Sequence, residues 1–196
     1  MNNHNLVIGI TGGTGCGKTT LLSCIAEKGG LILDCDAIYH ELLQTDRSLL
    51  SEIETRFPGV VENGQLQRKK LGAIVFSNEK ALLDLNKITH TAIKAEVMRR
   101  LEAAPRLAAI DAIGLFEGDL ASLCHVTVAV TAPVEDRVRR LMTRDSISEE
   151  YARKRIAAQR SNEEFSAICS HTLENDGEIC VFRAKCLAFL SKFGIM

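Results

Sequence analysis

The chain has 196 residues, 46% of them hydrophobic and 25% charged, and a net charge of −1 from 24 Lys and Arg against 25 Asp and Glu. These values describe an ordinary globular domain, with room for an inserted subdomain, and exclude disordered and collagen-like chains. Without a global basic field any anion site must be local, and the lack of Trp with only 5% aromatic residues argues against base-stacking platforms for nucleic acid.

Leu6–Thr11 is a continuous apolar run, the pattern of a strand buried on both faces. A glycine-rich turn follows, then a helical pattern over about 17–28 that Gly29 and Gly30 stop. Leu31–Leu33 reads as a second buried strand ending on Asp34, Cys35 and Asp36. From 37 to 104 the pattern is mainly helical, broken near Phe57–Gly59 and Glu62–Gly64 and without a strand signal, which predicts a helical insertion beside the sheet. Arg106–Ile110 is the third strand candidate and ends at Asp111; Val126–Val130 is the fourth, turned by Thr131, Ala132 and Pro133. Val134–Arg144 and Ser148–Arg160 predict charged helices, His171–Leu173 a weak fifth strand before Glu174–Gly177, and about 179–193 a final helix. Strands alternating with helices predict one α/β domain with a parallel sheet.

Apolar stretches are broken by charges before the ~18 residues a membrane span needs, and Met1–Asn5 lack the positive region of a signal peptide. The seven cysteines contain no C-x-x-C pair, and most sit in apolar segments. They predict reduced core thiols in a cytoplasmic protein rather than a disulfide framework or a metal cluster. Neither a membrane nor a nucleic-acid partner is expected. The sequence leaves the oligomeric state open, with a monomer as the simplest expectation.

Gly12–Thr19 fits G-x-x-x-x-G-K-[ST] in full and lies between a predicted buried strand and a predicted helix, the context this motif requires. Glycines let the backbone curl so that successive N–H groups form an anion nest, and the following helix offers unpaired N–H groups. Lys18 can reach the β and γ phosphate oxygens, and the Thr19 hydroxyl can ligate Mg²⁺. Gly13, Thr14, Gly15, Cys16, Gly17, Lys18, Thr19 and Thr20 are the candidate nucleotide-binding residues. Phosphoryl transfer needs further carboxylates. Asp34 and Asp36 lie at the carboxyl end of the second strand and Asp111 at that of the third, where ligands of open α/β sheets bind; caps and turns are the competing roles.

Two readings compete for such a loop. Asp111 and Gly114 have the D-x-x-G spacing of a GTP-binding switch, but Asn86 and Lys87 are followed by Thr89 where guanine recognition needs an acid, and the order of the two motifs is reversed. A small-molecule kinase with a basic lid fits better. Arg137, Arg139, Arg140 and Arg144 crowd one helix and Arg153, Lys154, Arg155 and Arg160 the next. Arg140 and Arg144 share a face and can neutralise a transferring phosphoryl group; a solvated charged face laced with Glu135, Asp136 and Glu149 is the competing role. A nucleic-acid-dependent ATPase is disfavoured, and a non-catalytic nucleotide-binding regulator stays open.

Taken together, Ile10–Thr20, Asp34–Leu42, Leu66–Gly72 with Val75 and Phe76, Leu85–His90, Asp111–Glu117, Arg140–Asp145, Gln159 and Glu174–Asp176 resemble, in the same order, the dephospho-coenzyme A kinase family. Gln67, Thr91, Ile113, Gly114 and Glu174 depart from its usual pattern. The resemblance implies a five-stranded parallel sheet of the nucleoside-monophosphate-kinase type flanked by helices, a helical acceptor-binding region over 37–104 and an arginine-bearing lid over 134–165. It also implies ATP-dependent phosphorylation of the ribose 3′-hydroxyl of dephospho-coenzyme A. It implies roles for Lys18 on ATP, Asp36 as acceptor of the hydroxyl proton, and Arg140 and Arg144 on the transferring group. Asp34, Asp111 and Thr19 are implied for Mg²⁺, Asp111 also beside the acceptor, Asn175 for adenine, and Arg68 and His90 for the acceptor. Kinases of the same fold that act on a nucleoside, shikimate or a gluconate-like alcohol are the alternative.

Overall fold

The computed structural model describes residues 6–195. Met1–Asn5, read above for a signal-peptide charge, lie outside the described residues. Strands β1 (Leu6–Thr11) and β2 (Leu31–Asp34) are separated by helix α1 (Lys18–Glu27). Helices α2 (Cys35–Thr45) and α3 (Arg47–Arg56), a hairpin of β3 (Val61–Glu62) and β4 (Gln65–Leu66), and helices α4 (Arg68–Val75) and α5 (Glu79–Glu102) come next. Then follow β5 (Leu107–Asp111), β6 (Val126–Thr131), α6 (Val134–Asp145), α7 (Glu149–Ala157), α8 (Asn162–Ile168), β7 (His171–Glu174) and α9 (Ile179–Ser191).

The main sheet has five strands in the order β2-β5-β1-β6-β7, and every pairing is parallel. Because the sheet is covered on both faces, the two-residue period of each strand sorts its side chains into two cores. Val7, Ala108 and Ile110 join the core shared with α2, α3 and α5. Ile8, Ile10, Leu107, Ala109, Val128 and Val130 join the core built with α1 and α9, where Leu21, Ile25, Phe182 and Phe189 are buried. This explains the unbroken apolar runs in the sequence: a strand buried on both faces has no polar side to alternate with. β7 gives the weakest pattern because it is an edge strand, alternately half-buried and exposed.

Three local features depart from the sequence-based expectation. The 37–104 insertion is not wholly helical: β3 and β4 form a hairpin whose turn places Asn63 and Gly64 at φ 51° and 72°. Asn-Gly with both residues left-handed is the favoured two-residue hairpin turn, but two residues per strand are too few for a period to show. The second strand ends at Asp34, and Cys35 already opens α2. Helix α8 was not anticipated. It starts with a reciprocal capping box between Ser161 and Glu164, a legible start signal followed by only seven helical residues.

Helices α6 and α7 pack on one another through Val138, Leu141, Ala152 and Ile156, a cluster separate from both sheet cores. This small core lets the pair hold its shape away from the sheet. Replacing the fully buried Leu141 with Ala should cost about 2–4 kcal/mol in urea unfolding and expose the α6–α7 connection, residues 146–148, to limited proteolysis. The volume-conserving Leu141→Met should cost less than about 1.5 kcal/mol and leave that connection protected.

Candidate active site

The phosphate loop leaves the sheet at the carboxyl end of β1, the middle strand, and enters α1 at Lys18. Gly17 is the N-cap of α1, at φ 96°. A side chain there is excluded twice: the conformation is left-handed, and a Cβ would collide with the Asn175 amide. Gly17 supplies no capping oxygen and no acid stands in the first turn, so the first N–H groups of α1 remain for an anion. Lys18 Nζ donates to Gly12 O at 3.0 Å, which tethers the ammonium to the start of the loop. Thr19 is exposed and Thr20 half-buried on the same turn.

Side chains from outside set the orientation of the loop peptides. Arg137 Nε donates to Thr14 O at 2.9 Å. Arg140 Nη1 donates to Gly15 O at 3.2 Å, and the buried Asn175 donates its amide to Cys16 O at 2.8 Å. In a planar trans peptide the N–H points opposite to the preceding carbonyl. Drawing the carbonyls of Thr14, Gly15 and Cys16 outward therefore turns the N–H groups of Gly15, Cys16 and Gly17 the other way; that of Cys16 closes a turn onto Gly13 O at 3.3 Å. Gln159 Oε1 accepts from Thr14 N at 2.8 Å, tying the residues after α7 to the same loop.

The expected arginines thus divide. Arg140 lies on the loop and also donates to Asn175 O at 3.4 Å. Arg144 does not reach the loop: it pairs with Asp145 at 2.6 and 2.9 Å, and Arg155 joins that carboxylate at 2.7 Å. These partners, Arg144 first, hold Asp145 down at about 2. Arg139, Arg153 and Lys154 pair with Asp136, with Glu135 and Glu149, and with Glu150, the solvated charged face that was the competing reading. Arg137 and Gln159 were not singled out as site residues. The signal for Arg137 was its position three residues before Arg140 on the same helix face.

Asp34 is the N-cap of α2, its Oδ1 accepting from Asp36 N at 2.9 Å and Ala37 N at 3.0 Å. Asp36 lies exposed in the first turn that this cap creates. Asp34 and Asp111 are register partners across β2 and β5, so the two strand ends bring them side by side. Asp111 Oδ1 is buried without a hydrogen-bond partner. Burial pushes the Asp111 carboxyl up to about 6, Lys18 pulls against it, and Asp34 and Asp36 reinforce it. Lys18, Asp34 and Asp36 thus each lie within electrostatic reach of Asp111. Among the described residues no three His, Cys, Asp or Glu side chains form a metal-ligating group.

Arg68 opens α4 and meets His40 Nδ1 at 2.9 Å, beside Tyr39, whose hydroxyl is pushed up by burial and eased by Arg68. His90, on α5, faces the segment after β5: its ring lies 3.6 Å from where a Cβ of Gly118 would stand. Thr11 Oγ1 donates to Ile113 O at 3.1 Å, and Arg160 donates to Glu117 at 2.6 Å, so the segment after β5 is pinned both to β1 and to the chain beyond α7. All seven cysteines are free; Cys16, Cys24, Cys35 and Cys186 are buried. No described helix is long and apolar enough to cross a membrane.

A nest of this kind after the middle strand of a parallel α/β sheet, faced by strand-end acids and backed by an arginine-bearing helix, defines a phosphate-loop kinase. The architecture recurs in shikimate kinase from Acinetobacter baumannii, at a TM-score of 0.53 and 18% identity over 96% of this chain and 93% of that one. The structure of TT1252 from Thermus thermophilus superposes much more closely, at a TM-score of 0.81 and 31% identity over 97% of this chain and 98% of that one. A sequence profile for dephospho-CoA kinase matches residues 6–180. The dephospho-CoA kinase of Bacillus thuringiensis subsp. konkukian is 34% identical over 197 aligned positions, 97% of this chain and 98% of that protein. The Saccharomyces cerevisiae dephospho-CoA kinase CAB5 is 36% identical over 89% of this chain and 77% of that protein. The chain belongs to the dephospho-CoA kinase family. It is therefore an ATP-using kinase with a small-molecule acceptor.

The raised Asp111 has a sign that can be tested without nucleotide. The folded state keeps its proton up to about 6 while the unfolded chain releases it near the ordinary aspartate value of 3.8. Folded stability is therefore undiminished at lower pH and is lost as pH rises through that interval. Asp111→Asn has no such proton to lose. Its melting temperature should gain a few degrees on the wild type between about pH 4 and about pH 7.5, read by differential scanning fluorimetry. A difference that does not change with pH would remove the buried-carboxylate assignment.

Proposed function

We propose that this chain transfers the γ-phosphoryl group of ATP to the ribose 3′-hydroxyl of dephospho-coenzyme A, giving coenzyme A and ADP. The observation that carries the reading is the outward-clamped phosphate loop with Lys18 at the start of α1, beside the paired strand ends of Asp34 and Asp111 and the first turn of α2 that carries Asp36. In this reading 37–104 holds the acceptor and 134–165 covers the phosphates. Seven free thiols suit a reducing cytoplasm.

Within Gly13–Thr20 the amides not already bonded inside the protein, such as those of Gly15, Gly17, Lys18 and Thr19, bind the ATP phosphates, and Lys18 exchanges its Gly12 carbonyl for the β and γ oxygens. Asn175 sits at the β7 end of the loop, where adenine would lie. Arg68 and His90 reach the acceptor from α4 and α5. Asp36, its carboxylate exposed next to the cap of α2, orients the attacking hydroxyl and takes its proton. Asp34 is engaged as that cap and contributes mainly charge. Arg140 keeps the loop curled, whereas Arg144 contacts the transferring group only after leaving Asp145. The donor set fits Mg²⁺, which keeps several waters and needs only one or two protein oxygens beside phosphate: Asp111 presents an unpartnered carboxylate oxygen, and either Thr19 or Asp34 would supply the second. When bound, Mg²⁺ neutralises charge on the β and γ phosphates.

The division between the two strand-end acids is open to direct comparison. Asp36→Asn should leave ATP binding near the wild-type value and cut turnover by about 10²–10⁴-fold. Asp34→Asn should retain stability, since Asn caps helices as well as Asp does, and should lose less turnover than Asp36→Asn, since only a supporting charge is removed. The reverse order, measured at saturating ATP and Mg²⁺, would exchange their roles.

The acceptor is tested by ADP release over a panel. Dephospho-coenzyme A should stimulate strongly; coenzyme A should not, because its 3′-oxygen already carries phosphate. Shikimate and gluconate should be poor. Adenosine offers a 3′-hydroxyl without the pantetheine-diphosphate arm, so it should show a lowered kcat as well as a raised KM, the remote binding energy being lost. Phosphorus NMR of the product should place the new phosphate on the ribose 3′-oxygen. A polyol or nucleoside that outperforms dephospho-coenzyme A would refute the acceptor.

A further inference from the structure

Among the described residues Arg137 is the largest side chain that is fully buried, at 2% exposure. Its Nε reaches Thr14 O, but Nη2 is buried with no hydrogen-bond partner. The neighbouring carboxylates are committed elsewhere: Asp136 to Arg139, Asp145 to Arg144 and Arg155, and Glu135 and Glu149 to Arg153. A guanidinium stays charged at any accessible pH, and a buried charge without a counter-charge is costly.

The location of this charge is as specific as its isolation. Nη2 occupies the space that a Cβ at Gly13 would fill. The backbone of the same residue lies against Gly15, where a Cβ would come within 3.0 Å of Arg137 O. The side chain is thus fitted behind Gly13, Thr14 and Gly15, on the face of the loop opposite the inward N–H groups. Its field reaches the loop centre: Arg137 and Lys18 both work against the burial that raises the Cys16 thiol.

We propose that Arg137 is a positioning residue that serves as a permanent cation behind the phosphate loop, and that the nucleotide's phosphate chain is the counter-charge it lacks. Lys18 meets the phosphates from within the site; Arg137 acts through the loop peptides, without contact. The inference rests on the loop binding ATP phosphates. It implies that the nucleotide-free protein carries an electrostatic strain that binding relieves, so part of the stabilisation by nucleotide comes from Arg137.

Three variants separate charge from packing and hydrogen bonding. Arg137→Met keeps bulk alone, Arg137→Gln keeps a donor for Thr14 O, and Arg137→Lys keeps the charge. Calorimetry with ATP and with inorganic pyrophosphate, melting with and without ATP, and kcat at saturating ATP are the readouts. We expect Arg137→Met and Arg137→Gln to bind both ligands ~10-fold or more weakly. Arg137→Lys should bind more tightly than either. Without ATP the uncharged variants should melt no lower than the wild type, and with ATP they should gain less. In Arg137→Gln, which keeps the donor to Thr14 O, saturated kcat should fall by a smaller factor than ATP affinity, because the lost charge acts in the ground state too. A wild type that gains nothing from ATP overturns the nucleotide reading and this proposal together. A wild-type gain that survives in Arg137→Gln overturns the proposal alone, as does Arg137→Lys binding no better than Arg137→Gln. Failure of all three variants to fold overturns it too, since the residue then serves the fold rather than the nucleotide.

Discussion

The outward pull on three carbonyl oxygens, those of Thr14, Gly15 and Cys16, is the constraint on which the site depends. A glycine-rich turn can adopt many shapes, and most would scatter its N–H groups. Three donors from distant parts of the chain, Arg137, Arg140 and Asn175, select the shape in which Gly15 and Gly17 turn their amides to one side. The planarity of the peptide does the rest. The rigid base for this arrangement is the middle strand of the sheet, flanked by β5 and β6 and buried on both faces.

The same constraint explains why α6 is built as it is. Its charge pattern serves two environments. Arg139 and Arg144 form ion pairs near solvent, where each contributes little stability. Arg137 and Arg140 turn to the loop, with Val138 and Leu141 filling the cluster against α7. One helix therefore joins the phosphate loop to the α6–α7 pair, and Gln159 and Arg160 add links from the far end of that pair to Thr14 and Glu117. Hydrogen bonds thus connect the phosphate loop and the segment after β5 through the end of this pair.

On the opposite side of the loop, parallel pairing of β2 with β5 sets Asp34 beside Asp111. Burial raises the Asp111 carboxyl, and the like charge at the neighbouring strand end reinforces it. Asp34 meanwhile uses its carboxylate to start α2, which projects Asp36 into the first helical turn. A residue that was a candidate for chemistry thus has a prior structural task, and that task places its neighbour.

Much of the protein was legible in the residues themselves. The buried strands announce themselves as apolar runs, the phosphate loop as a contiguous motif in strand–turn–helix context, and the order of motifs as a family resemblance, because each signal is local or linear. Burial and side-chain facing are neither. Arg137, Arg140 and Arg144 share one helix face, and nothing in their spacing tells which meets the loop. That depends on where α6 starts and how it lies over the sheet, which puts the first two against loop carbonyls and leaves the third one turn beyond, beside Asp145. The β3–β4 hairpin was too short to carry a period. The raised carboxyl of Asp111 exists only because folding removes its water and brings Asp34 alongside. The sequence by itself determined the fold class, the loop and the cast of charged groups; the tertiary structure decided their pairings, because desolvation and proximity arise only when distant segments pack.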